Sequence, residues 1–216
     1  MKARRVKGLD PEAALADNVQ RIVTVRVDEL HAFMPKALDP AEVETMHDMR
    51  IAAKRLRYIL ELTAHVFGPY TVTASKRTKE LQDLLGEVHD CDVTLPRVLE
   101  LIEQTRQADA AAVRARAGEA GDLDPRLSAR APHATAWRGL EAMAVHLQAR
   151  RDLMFDRFVE LWAKLSREGF RARLEYAVAE RPPGVPSPDH DGGAPHDGQS
   201  AGTDPRGARA GAGTGP

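Results

Sequence analysis

Residues 46 to 57, MHDMRIAAKRLR, set one histidine and four cations, His47, Arg50, Lys54, Arg55 and Arg57, against a single acid, Asp48. At about 100° per helical residue, His47, Arg50, Lys54, Arg57, Tyr58 and Glu61 fall within an arc of roughly 100°. Met49, Ala52, Leu56, Ile59, Leu60 and Thr63 take the opposite side. A solvated helix usually alternates Glu and Lys at four-residue spacing. Here the cations face one another, at roughly a few tenths of a kcal/mol per like-charged pair, and something must compensate. Guanidinium forks and ammonium groups repeated every turn of about 5.4 Å suit a ligand with closely spaced negative charge, such as a phosphate chain.

Two further helical stretches carry the same kind of row. Lys76, Lys79, Asp83, Asp90 and Arg97 line one side of a helix whose other side holds Leu81, Leu84, Leu85 and Val88. Asp83 and Asp90 are positioned to orient nearby cations, bidentate pairing with arginines of the preceding helix being one way to do so. Further on, His146, Arg150, Arg157 and Lys164 share a stripe, while Arg151 falls among Leu147, Met154, Phe158 and Trp162, where an arginine needs an anion or a carboxylate. The net charge of -1 conceals this segregation: residues 47–79 hold seven Lys or Arg against Asp48 and Glu61, whereas residues 12–46 hold seven acids against Arg21, Arg26 and Lys36. A segregated positive face implies an anionic partner.

Other chemistries fit less well. His47, His89, Asp90 and Asp92 could serve as metal ligands or as an acid and base. Yet no His-x-x-x-His or Glu-x-x-His pair accompanies them, and there is no glycine-rich phosphate loop or strand scaffold. Asp90 and Asp92 are expected to cap or pair arginines, and His47 to hydrogen-bond phosphate. No metal or cofactor is expected, and Cys91 reads as a buried small residue. Aromatic residues make up 5% of the chain, with Tyr58, Phe67 and Tyr70 alone in the basic stretch, so a base-stacking platform and nucleic-acid binding are not expected. A helical adaptor docking an acidic protein partner, or a metal-dependent phosphate-handling enzyme, are the alternatives to an anion-chain binder.

The elements that must carry these side chains are helical nearly throughout, with no convincing alternating strand. A first helix is predicted from about Pro11 to Met34 and a second from near Pro40 to just before Gly68, each opened by Asp-Pro. A third is predicted over Val72 to Gln104, interrupted or bent at Gly86. A loop follows over 117–135, then a long helix from about Ala136 to Arg167 and a short one from Phe170 to Ala179. Four long amphipathic helices plus a short C-terminal one predict an all-α, up-and-down bundle over 11–180, with Trp137, Phe158 and Trp162 in the core. Residues 1–10 read as a basic extension. The final 36 residues, 181–216, hold 16 Gly or Pro and read as a disordered tail in which His190 and His196 are spacers. The chain's 216 residues include one cysteine and no apolar run of the roughly 18 to 20 needed to span a bilayer, so a cytoplasmic protein without membrane association is expected.

HDMRIAAKRLRYILEL at 47–62, FGPY at 67–70 and LQDLLGEVHDCDV at 81–93 together closely resemble the CHAD family, the conserved histidine α-helical domain. LQARRDLMFDRFVELWAKL at 147–165 is similar to that family's closing helix, so the likeness is expected to run from about 12 to 178. The resemblance implies a helical bundle that binds inorganic polyphosphate through a basic surface, without catalysis. Matched by position, it implies that role for His47, Arg50, Lys54, Arg55, Arg57, Lys76 and Lys79, to which the last long helix would add Arg150 and Arg151. It also implies association with polyphosphate granules, and partnership with triphosphate-tunnel (CYTH-type) enzymes. Typical members carry two copies of the helical unit, and one is evident here. Either the chain is a half-size binder, or two chains form a homodimer that rebuilds the twofold.

Overall fold

The computed structural model describes residues 2–118 and 121–180. The expected disordered tail, 181–216, lies outside the described residues. Five helices, α1 (Leu15–His31), α2 (Val43–Thr63), α3 (Tyr70–Ala117), α4 (Ala136–Arg167) and α5 (Phe170–Ala179), are joined by loops with short 3-10 turns. Four are long and the last is short, and there is no strand among the described residues.

Apolar side chains at three- and four-residue spacing explain the packing. Val19, Val23, Val27 and Leu30 of α1 meet Met49, Ala52, Leu56 and Leu60 of α2; Leu81, Leu85 and Val88 of α3 and Phe158, Leu161 and Leu165 of α4 complete one buried cluster, closed by Phe170, Leu174 and Val178 of α5. The reversal into α5 needs a left-handed residue, and Gly169 supplies it at φ +67°, its N–H donating to the Ser166 carbonyl.

Both Asp-Pro signals mark turns rather than helix starts. Asp10 accepts from the Glu12 N–H and Asp39 from the Ala41 N–H, and the helices begin at Leu15 and Val43. An aspartate side chain that bonds the backbone two residues on closes a local turn. The helix α3 is also longer than its periodicity suggests and runs unbroken through Gly86 and Pro96. Its distal half pairs with α4 around Cys91, Val98, Ile102, Ala144 and Leu147. Arg106 pairs with Glu141, and Asp109 accepts from both the N–H and the ring Nδ1 of His133 at 2.9 Å. This tertiary support offsets the roughly 3 kcal/mol that an interior proline costs.

Residues 4–10 form a strap along α1 that the composition had not announced. The buried Arg26–Glu29 pair grips Arg4 by its main chain: Glu29 accepts from the Arg4 N–H, and Arg26 donates to the Arg4 carbonyl at 2.5 Å. Arg21 donates to the Gly8 carbonyl, and Asn18 and Asp10 bond reciprocally.

A cationic seam between two helices

The first half of α3 runs antiparallel to α2, with His47 opposite His89 and Arg50 opposite Gly86. A Cβ added at Gly86 would lie 3.4 Å from Arg50 Nε, so the missing side chain lets the guanidinium lie against the α3 backbone. Gly86→Ala should stabilise the protein by about 0.5–1 kcal/mol, since alanine is the better helix interior residue and the new contact is ordinary van der Waals. Urea titration checks this; a loss of stability would mean that Arg50 has no room to yield.

The cations differ in what holds them. Buried Nε of Arg50 has no hydrogen-bond partner among the described residues, an uncommon state for a buried donor. Exposed Lys54 places its ammonium 5.8 Å from the Tyr58 ring centroid. Arg57 stacks on the same ring at 4.5 Å and reaches Glu61 at 3.7 Å, an ion pair too long for a hydrogen bond. Arg55 is half-buried on the same helix. From α3, exposed Lys79 contributes a charge beside its own Asp83, at 2.5 Å, with exposed Lys76 one turn away. The His47 and His89 rings meet at the other end, Nδ1 to Nδ1 3.2 Å and centroids 4.3 Å apart.

The remaining candidates are placed differently. Arg151 is buried: its Nε donates to Asp92 at 2.7 Å and its NH2 group to the Pro40 carbonyl at 2.6 Å, tying α4 to α3 and to the entry of α2. Arg150 pairs with Glu87 of α3. Both arginines are thus engaged by carboxylates of α3. Asp83 does orient a nearby cation, but it is Lys79 one turn back on its own helix and not an arginine of α2, while Asp90 is exposed. The arginines Arg57, Arg150 and Arg151 are held by other carboxylates, Glu61, Glu87 and Asp92. Asp92 was singled out in the sequence as an arginine partner; Glu87 was not, and the four-residue helical pattern that finds Glu61 cannot find a partner on another helix.

His89 lies below the ordinary histidine range, chiefly through burial and then through the neighbouring charges of His47 and Arg50, against the opposing pull of Asp90 and Asp92. Burial raises the Cys91 thiol above its usual range, so it stays protonated. Among the described residues no group of three or more His, Cys, Asp or Glu could hold a metal ion, and no helix is long and apolar enough to cross a membrane.

These features define an all-helical domain with a cationic seam between two antiparallel helices. Residues 2–99, from the strap to the middle of α3, match the family model of the CHAD domain. The match therefore starts earlier than the resemblance suggested and leaves α4 and α5 outside it. No curated protein and no solved structure gave a significant match to the chain.

Proposed function

We propose that the protein binds inorganic polyphosphate along the α2–α3 seam and does so without catalysis. One observation carries the reading: Arg50 is held at the seam with a buried donor that no group among the described residues satisfies. A phosphoryl oxygen would satisfy it, and Lys54, Arg55, Arg57, Lys76 and Lys79 continue the positive charge along the two helices. Arg150 and Arg151 serve this reading as supports for α3, through Glu87 and Asp92. A homodimer, and a triphosphate-tunnel enzyme acting on the bound chain, belong to the same proposal.

Calorimetric titration with long-chain polyphosphate at two salt concentrations, with single-stranded DNA and pyrophosphate as controls, tests it. The expected result is binding of the polymer that weakens as salt rises, with little binding of either control. Equal binding of DNA would make the seam a general polyanion surface. No binding of the polymer would assign it to an acidic protein partner.

A further inference from the structure

The end of the seam holds two imidazoles that share a proton position. With Nδ1 to Nδ1 at 3.2 Å, one ring must donate and the other accept, so the neutral pair holds one Nδ1–H and one Nε2–H tautomer. A proton added from solvent leaves a charge-assisted N–H···N bond in place, whereas a second one sets two N–H groups against each other and breaks the contact. The charges around the pair come from three helices. From α2 there are Asp48 and Arg50; from α3 there are Glu87, Asp90 and Asp92; from α4, Arg150 engages Glu87 and Arg151 engages Asp92. Glu87 and Asp92 are already engaged by arginines and Asp90 is exposed, so a cation on the pair, lying beside Arg50, gains from a further counter-charge. A bound phosphoryl group would supply one.

We propose that His89 is a further member of the anion site, and that His47, His89 and Arg50 together form one subsite whose phosphoryl group binds along with a proton taken from solvent. The inference rests on the polyphosphate reading above and adds its proton dependence. It follows that affinity rises on acidification: while the free pair is neutral and the bound pair is protonated, each pH unit changes Kd by up to about tenfold. Because burial and its cationic neighbours lower the pKa of free His89, that response sets in above the lowered value and extends up to the raised one of the complex.

The test is calorimetry of the full chain with long-chain polyphosphate at pH 6, 7 and 8, each in two buffers of different ionisation enthalpy, beside His89→Phe and His89→Asn. Terminal phosphates titrate near pH 6, but they are few in a long chain and are the same for every variant. The wild type should take up protons on binding and lose affinity from pH 6 to pH 8. Both variants should show reduced uptake and a flatter profile, and the ring protons of His89 should titrate at higher pH when polymer is bound. Polymer binding with no proton uptake, or uptake unchanged in both variants, overturns the inference and leaves the polyphosphate reading intact. Absence of polymer binding at every pH overturns both.

Discussion

Replacing Arg50 and Lys54 together by glutamate should reduce polyphosphate affinity on the order of 100-fold or more while leaving the helical content unchanged. Each charge-assisted contact to a phosphoryl oxygen is worth about 1.5–3 kcal/mol, so losing two removes at least about 3 kcal/mol, and the two new carboxylates add repulsion. The fold should tolerate the change, because Arg, Lys and Glu are all good helix formers and Lys54 is exposed. Arg50 is half-buried, but no hydrogen bond to its Nε is lost. Calorimetry measures the affinity and far-ultraviolet circular dichroism the fold. Wild-type affinity in the double variant would remove the polymer from the seam.

Glu29→Ala should produce the largest loss of stability. Glu29 is 0% exposed and Arg26 7% exposed, and they pair with each other. Removing one partner of a buried pair leaves the other charge uncompensated, at about 3–5 kcal/mol, which for a chain of this size lowers Tm by roughly 10 °C. The variant also deprives the Arg4 N–H of its acceptor, so the strap at residues 4–10 should exchange its amide hydrogens faster than α1 does. Glu29→Gln, which keeps an oxygen for the strap, should lose less. Thermal unfolding and hydrogen exchange measure the two effects separately. A loss under about 1 kcal/mol in Glu29→Ala would mean that water already reaches Arg26.

Read from the residues alone, the all-helical bundle, the cationic row of α2 and the family likeness were legible, because each is local. Apolar spacing sets which side of a helix is buried, and a motif such as HDMRIAAKRLRY is read without its neighbours. A helix that bridges regions of weak periodicity was less legible. The prediction for α3 ended near Gln104 with a break at Gly86, but the helix runs to Ala117: packing on α4 reaches Ile102, and beyond it Arg106 pairs with Glu141 while Asp109 and Arg116 bond the 130–133 segment, supporting an alanine-rich end that has little pattern of its own.

Partners across helices were decided by the tertiary structure. A helical wheel gives the angle at which a side chain leaves its helix, but neither the register nor the distance of the helix it meets. Hence Arg151 could be recognised as needing a carboxylate, but the supply of that carboxylate by Asp92, 59 residues earlier, with Pro40 behind it, emerged only on folding. Asp83 and Asp90 had suitable angles, yet an intrahelical lysine took one and solvent the other. The strap's hold on Glu29 spans 25 residues, and the His47–His89 contact spans 42. That last contact needs α2 and α3 close together, an approach set by the apolar side chains the two helices share. The sequence by itself therefore determined a helix with cations on one face and the likeness to the family whose model it matches. Only the antiparallel approach of α3 made that face a half-buried seam, with an unmatched arginine donor and two histidines in contact.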